Sequence, residues 1–185
     1  MIHQNDYCVI LAGGIGRRLW PCSVKQKPKQ FLDFFGTGRT LLQQTYDRFA
    51  SFLPKDHIFI STFIDYKDWV RQQLPDFAEE NILAEPVQLS TAPAVAWAAC
   101  HIAHINPEAN MIVSPTDQYI IHEDVFAHDV EKGFEFVDKH EGFLAFGVPA
   151  TAPNTGYGYI QMGEEHEHTG YAHVKAFTEK PGIQF

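Results

Sequence analysis

The stretch Tyr7-Cys8-Val9-Ile10-Leu11-Ala12 runs directly into Gly13-Gly14-Ile15-Gly16, and these two segments decide the fold. The apolar run predicts a buried first strand of a parallel sheet. The glycines after it let the backbone turn tightly and bring amide N–H groups close to a polyanion. The loop that follows the strand is therefore predicted to bind phosphate.

The charge pattern around this loop favours the same ligand. No carboxylate occurs between Asp6 and Asp33, although the whole chain has a net charge of −9. Five of the 14 basic residues fall in that interval: Arg17, Arg18, Lys25, Lys27 and Lys29. A local excess of cations in an acidic chain is typical of a phosphate site. The alternative is a loop that tolerates glycine beside solvated lysines.

Composition bounds the class of protein. A length of 185 residues with 45% apolar content is enough for one globular domain with a substantial core. The N-terminus lacks a basic region followed by an apolar one, and no apolar run approaches the roughly 20 residues needed to span a bilayer. We therefore expect a cytoplasmic protein without a membrane partner. The negative charge argues against nucleic acid as a partner, since that calls for a broad basic face; a homo-oligomer is left open.

Apolar runs alternate with segments of helical periodicity along most of the chain. The predicted strands are 7–12, 57–61, 81–84, 110–114 and 142–147. The predicted helices are 40–49, 65–74, 91–105 and 123–137. This alternation predicts an α/β fold, a Rossmann-like open and mostly parallel sheet with helices on both faces. Short β-type runs at 157–162 and 172–178 predict an antiparallel excursion at the sheet edge near the C-terminus.

The first loop identifies a family. A dinucleotide loop would have glycine or alanine where Arg18 stands, and a Walker A loop would have Gly-Lys-Ser/Thr. A glycine-rich turn followed by Arg and then Pro28-Lys29 instead resembles the signature of sugar nucleotidyltransferases. With Leu19-Trp20-Pro21 and Pro28-Lys29-Gln30-Phe31, the stretch resembles the mannose-1-phosphate guanylyltransferase family.

The resemblance implies an activity and a set of nucleotide-site residues. The substrates would be GTP and mannose 1-phosphate, and the products GDP-mannose and pyrophosphate. The residues implied for nucleotide binding are Leu11, Ala12, Gly13, Gly14, Gly16, Arg18, Lys29, Glu85 and Thr91. The residues implied for catalysis are Arg18, Lys29, Asp117 and Lys180.

The loop after the third predicted strand contains Glu85-Pro86 and Thr91-Ala92-Pro93. Ser90 or Thr91 is expected to cap the following helix, so that its free N–H groups face the site. The family uses such a segment near the base and ribose. It usually has Arg-Asn where this chain has Leu89-Ser90, which leaves base selectivity open.

Asp117 follows the strand at 110–114 and is the residue implied to bind a metal ion. Beside a polyphosphate, a carboxylate is what Mg²⁺ needs, because magnesium typically uses one or two carboxylates with phosphate oxygens and water. The resemblance therefore implies Mg²⁺ as cofactor. The alternative is an aspartate that only caps a turn. Gln118 stands where relatives commonly have His.

The C-terminal part matches the sugar side of the family pattern. The matching stretches are Gly147-Val148-Pro149, Thr155-Gly156-Tyr157-Gly158-Tyr159 and Glu179-Lys180-Pro181. The resemblance implies that Gly147, Gly156 and Tyr157 adjoin the sugar. It implies that Glu179 accepts hydrogen bonds from sugar hydroxyls and that Lys180 meets the sugar phosphate.

Residues 1–185 are thus expected to be a nucleotidyltransferase domain that stops short of the family's second metal-binding aspartate and C-terminal β-rich part. One rival hypothesis is a non-catalytic module that binds a nucleotide or nucleotide sugar, and another is a nucleotidyltransferase with a different base or sugar. An NAD(P)-dependent oxidoreductase is disfavoured by Arg18. It is also disfavoured by Ser61-Thr62-Phe63, because no acidic residue ends the second strand.

Overall fold

A computed structural model describes residues 4–166 and 170–182 of the chain. They form two compact units, one up to Gly142 and one from Phe143 onward. The first unit contains β1 (Asp6–Leu11), α1 (Leu41–Ala50), β2 (Ile58–Phe63), α2 (Lys67–Gln73), β3 (Ile82–Glu85), α3 (Thr91–Ile105), β4 (Asn110–Pro115) and α4 (Glu123–Val137). The second contains β5 (Gly158–His166) and β6 (Tyr171–Glu179).

Four parallel strands form the sheet of the first unit, in the order β3-β2-β1-β4. The strand β1 is central, with Cys8 opposite Ile58 on one side and Ile112 on the other. Successive strands are added on one side of β1 as far as β3, and β4 then returns to its other side. In sheets of this kind ligands bind beyond the carboxyl ends of the strands where the order reverses, here beyond β1 and β4.

Alternate residues of β1 face two different helical layers, because neighbouring side chains of a strand point to opposite faces. Cys8 and Ile10 belong to a buried cluster to which α1, α2 and α4 contribute, while Tyr7 and Val9 belong to a second cluster with α3. Helices therefore cover both faces, as the sequence predicts. The bounds predicted for α3 and α4 are confirmed without change.

The strand predicted at 142–147 is wrong. This stretch is irregular, with Phe143 fully exposed and Phe146 about half exposed. The apolar pattern is that of a buried strand, but a strand also needs a neighbour that pairs with its backbone groups. Among the described residues, the stretch pairs with no strand.

The antiparallel pair predicted near the C-terminus is confirmed and is longer than expected. The strands β5 and β6 pair antiparallel, with Gly158 opposite Glu179 at one end. They form a two-stranded sheet of their own and are not added to the parallel sheet.

Within residues 4–166 and 170–182, no helix combines the length and apolar character needed to cross a membrane.

Candidate nucleotide and sugar-phosphate sites

The glycine-rich loop after β1 needs glycine at position 16. Gly16 has a φ of 70°, in the left-handed region that residues with a Cβ rarely adopt. A Cβ at this position would lie 2.5 Å from Ser23 Oγ and 3.1 Å from Lys29 Cβ. The Ser23 hydroxyl itself donates to the Ile15 carbonyl at 2.8 Å. The loop is therefore folded tightly against the segment that carries Lys29.

The end of β1 is held by hydrogen bonds to Ala12. Its carbonyl accepts from Gln30 Nε2 at 2.7 Å and from Thr62 Oγ1 at 3.0 Å. Its N–H donates to the Ser61 carbonyl at 2.7 Å. Gln30 is fully buried, and its Oε1 has no hydrogen-bond partner among the described residues. Gln30 thus ties the neighbouring Lys29 to the start of the glycine loop.

The loop after β3 contacts the glycine-rich loop that follows β1. Glu85 Oε1 accepts a hydrogen bond from Ser61 Oγ at 3.0 Å and would lie 3.5 Å from a Cβ at Gly13. The Gln88 side-chain amide donates to the Gly13 carbonyl at 2.7 Å. Glu85 and Gly13, both predicted site residues, are therefore neighbours.

The helix α3 begins without the side-chain cap that the sequence predicts. Ser90 occupies the capping position, with a φ of 74°, but its side chain makes no capping hydrogen bond. No acidic residue lies in the first turn. Thr91 is exposed, so this helix start presents its first amides without a competing carboxylate.

Lys29 and Asp117 meet beyond the carboxyl ends of β1 and β4. The Lys29 ammonium donates to Asp117 Oδ2 and forms an ion pair with it. The side chains are 19% and 42% exposed, so the ammonium is the more enclosed partner. Arg18 lies on a short 3-10 helix at 17–19 and is exposed. The structure thus brings together a cation and a carboxylate at the switch point of the sheet.

The surroundings of Asp117 fit one kind of metal site. Among the residues that the structure describes, no group of three or more His, Cys, Asp or Glu side chains could hold a metal ion. A hard ion that takes one or two carboxylates and completes its shell with phosphate oxygens and water fits a single accessible carboxylate.

Four of the five predicted sugar-side residues lie together at one end of the β5–β6 hairpin. The Lys180 N–H donates to the Tyr157 carbonyl at 3.1 Å, and the Lys180 ammonium pairs with Glu179. The Gly156 N–H donates to Asn154 Oδ1 at 2.8 Å. A Cβ at Gly158 would lie 2.8 Å from Glu179 Oε2, so a side chain there would displace the Glu179 carboxylate.

Gly147, the fifth, lies in the irregular stretch before the hairpin. A Cβ at this position would meet nothing within 4 Å among the described atoms. The same unit has a cavity of about 560 Å³ with a different lining. The lining residues are Ala150, Thr151, Ala152, Pro153, Asn154, Thr155, Tyr159, Thr178, Pro181 and Gly182.

Sequence reasoning missed Gln30, Thr62 and Gln88 as residues that shape the nucleotide loop. Gln30 directly follows Lys29 in the Pro-Lys-Gln-Phe segment, so its position next to a predicted site residue could have identified it. Thr62 and Gln88 donate hydrogen bonds to backbone carbonyls. Sequence spacing does not reveal which carbonyl a side chain will meet.

A parallel sheet of this order, with helices on both faces and a glycine loop after its central strand, defines a Rossmann-like α/β protein. The chain belongs to the nucleotidyl transferase family, whose family model matches residues 7–184. This confirms the family resemblance seen in the first loop.

Two known relatives are similar to almost the whole length of this chain. The chain is 41% identical over 176 residues to the alginate biosynthesis protein AlgA of Pseudomonas putida, covering 94% of this chain and 36% of the relative. It is 38% identical over 179 residues to a mannose-1-phosphate guanylyltransferase of Escherichia coli, covering 94% of this chain and 37% of the relative. The chain thus spans little more than a third of the length of these relatives.

A solved structure supports the fold. A crystal structure described as a mannose-1-phosphate geranyltransferase from Thermus thermophilus matches with a TM-score of 0.83 and 31% identity. The match covers 97% of this chain and 51% of that one.

Proposed function

We propose that this chain transfers the guanylyl group of GTP to mannose 1-phosphate, giving GDP-mannose and pyrophosphate. The observation that carries the proposal is the Lys29–Asp117 pair beside the glycine loop. It supplies a cation for a triphosphate and a carboxylate for its metal ion. Similarity to a protein named mannose-1-phosphate guanylyltransferase supports the choice of substrates.

The base and ribose of the nucleotide would lie over the ends of β1 and β3, and its triphosphate would lie over the ends of β1 and β4. Backbone groups of Leu11, Ala12, Gly13, Gly14 and Gly16 would approach it closely, because glycine leaves the loop amides accessible. Glu85 and Thr91 would face the base and ribose. Arg18 and Lys29 would contact the triphosphate, where charge-assisted hydrogen bonds are the strong ones.

Mg²⁺ is the proposed cofactor, with Asp117 as its protein ligand. When bound, it would neutralise charge on the phosphate oxygens of GTP. Asp117 would hold the metal ion, and Lys29, no longer paired with Asp117, would contact the phosphates of GTP.

The reaction needs positioning more than proton transfer. A phosphate oxygen of mannose 1-phosphate attacks the α-phosphorus of GTP, and the bond to the β-phosphate oxygen breaks. The attacking group is already anionic, so no general base is required. Lys180 would hold the sugar phosphate and Glu179 the hydroxyls, with Gly147, Gly156 and Tyr157 beside the ring. Catalysis then comes from orientation and from cations that offset the repulsion between two anions.

Residues 1–185 would act as a nucleotidyltransferase domain in the cytoplasm, with small-molecule substrates as its partners. Neither nucleic acid nor a membrane is a proposed partner, because the net charge of −9 opposes both.

Calorimetric titration tests the nucleotide assignment. With Mg²⁺ present, GTP is expected to bind and ATP to bind more weakly. Because Leu89-Ser90 departs from the family pattern, the comparison of bases is informative. Equal binding of GTP and ATP would contradict the guanylyl assignment, and no binding of either would contradict the nucleotide site itself.

A further inference from the structure

Three exposed aromatic side chains form a cluster on the two segments that carry Lys29 and Asp117. The rings of Phe35 and Tyr119 lie with centroids 4.4 Å apart, and Phe34 meets Phe35 edge-on at 5.6 Å. Their exposures are 44% for Phe34, 45% for Phe35 and 61% for Tyr119. Contacts at such separations are favourable for aromatic rings beyond the area they bury.

The cluster joins the two segments that carry the charged pair. Phe35 lies on the loop that follows the short 3-10 helix Lys29–Phe31, and Tyr119 lies two residues after Asp117. The ring contact and the ion pair therefore connect the same two parts of the chain.

The loop that presents Phe35 is itself held in place. The Asp33 carboxylate accepts hydrogen bonds from the Thr37 N–H at 2.9 Å and the Gly38 N–H at 2.7 Å. A loop closed in this way offers Tyr119 a defined surface.

We propose that Phe35 and Tyr119 are positioning residues that keep Lys29 and Asp117 at a working separation. The inference rests on the proposed function, in which the ion pair opens when a metal–triphosphate complex arrives. Without a ligand, the ring contact holds the two segments at the separation at which the ion pair forms. Once the two side chains turn to their ligands, their mutual attraction no longer contributes, and the ring contact still fixes the spacing of the two segments. The ring contact carries no charge and persists through that exchange. Small errors in the spacing of catalytic groups are costly for rate.

The reactivity of Lys29 toward an amine-acylating ester tests this without any ligand. Peptide mass spectrometry gives the acylation rate of Lys29, with exposed Lys25 and Lys27 as internal references. A paired and enclosed ammonium reacts slowly, and Asp117→Asn sets the rate for an unpaired Lys29. Tyr119→Ala and Phe35→Ala are expected to raise the Lys29 rate by about threefold, the size expected when a partly exposed ion pair is lost.

Two matched variants keep the test specific. Tyr119→Phe retains the ring and should label like the wild type. Ile121→Ala removes an apolar side chain that is 73% exposed on the same loop, and it should also leave the rate unchanged. A wild-type rate in Tyr119→Ala would overturn the proposal. An equal increase in Ile121→Ala, or at Lys25 and Lys27, would also overturn it, because the effect would then be general loosening.

A second readout separates this proposal from the proposed function. In Tyr119→Ala, metal-free GTP affinity should stay equal to the wild type or rise by no more than about threefold, because Lys29 is partly released. The gain in affinity on adding Mg²⁺ should fall at least about threefold. A fully retained Mg²⁺ effect would overturn the positioning role. If the wild type bound no GTP, the proposed function would fail, and the acylation rates would still decide whether the rings position Lys29.

Discussion

The Lys29 ammonium pairs with the Asp117 carboxylate across 88 residues of sequence. The pairing follows from topology, because β1 and β4 are adjacent parallel strands and their carboxyl ends meet at one edge. The segment of Lys29 is anchored to the end of β1 through Gln30, and Asp117 lies two residues after the end of β4. Lys29 therefore lies where a phosphate is expected to bind, and Asp117 lies where the metal ion is expected to bind.

Replacing Arg18 or Lys29 with Ala should weaken GTP binding in the presence of Mg²⁺. Each variant loses a charge-assisted phosphate contact, typically worth about 1.5–3 kcal/mol. Calorimetry provides the measurement. Lys25→Ala is the matched control, since it removes an exposed lysine from the same basic interval and should have a smaller effect. Unchanged GTP affinity in both site variants would refute the assignment.

Asp117→Asn should make GTP binding less dependent on Mg²⁺ and should slow turnover. The amide keeps the shape of the side chain but loses the charge that a hard cation requires. Metal-free GTP affinity should rise by up to about fivefold, because Lys29 no longer has to break a partly exposed ion pair before it binds phosphate. Asp124→Asn, at an exposed acid in the first turn of α4, is the control. Identical Mg²⁺ dependence in Asp117→Asn and the wild type would mean that Asp117 is only a turn residue.

Gly16→Ala should destabilise the protein and weaken GTP binding, whereas Gly14→Ala should do little to stability. The left-handed backbone at Gly16 costs a residue with a Cβ about 1–2 kcal/mol, and contact with Ser23 adds to this. At Gly14 an added Cβ meets nothing within 4 Å. Urea unfolding of the two variants makes the comparison. Equal midpoints would contradict the tight packing of the loop against the Lys29 segment.

The loop at 33–38 should remain folded at a pH where an ordinary aspartate is protonated. Hydrogen bonds from the Thr37 and Gly38 N–H groups hold the pKa of Asp33 below its usual value. Because folding lowers this pKa, ionised Asp33 stabilises the loop at any pH above the usual aspartate pKa. That stability is lost as the pH falls through the lowered pKa.

NMR titration of the Thr37 and Gly38 amide signals checks this. Both signals should shift with a midpoint below the usual aspartate range, and Asp33→Asn should abolish the transition. A midpoint at the usual value would contradict the carboxylate hydrogen bonds.

Much of the parallel fold could be predicted from the sequence because its elements are local patterns. The apolar run of β1 and the periodicity of α3 and α4 determine those elements without long-range information. The failure at 142–147 has the opposite cause. Its pattern suits a strand, but strand formation also depends on a partner, and the pattern of one segment does not show whether a partner exists.

The sequence also predicts which residues lie together at the candidate site. Motif order identified Gly16, Lys29 and Asp117, and the structure brings Gly16 and Asp117 to Lys29. The contacts that set their geometry were not predictable, since Gln30 and Thr62 both act on the carbonyl of Ala12. Hydrogen bonds to a backbone atom leave no periodic signal in the sequence.

Guanylyl transfer is measured as the formation of labelled GDP-mannose from GTP that carries the label at the α-phosphate. We predict that the chain transfers the label to mannose 1-phosphate, with pyrophosphate released in equal amount and only when Mg²⁺ and both substrates are present. The Lys29→Ala variant should bind and transfer far less. Binding of GTP without any labelled GDP-mannose would contradict guanylyl transfer and identify the chain as a nucleotide-binding module.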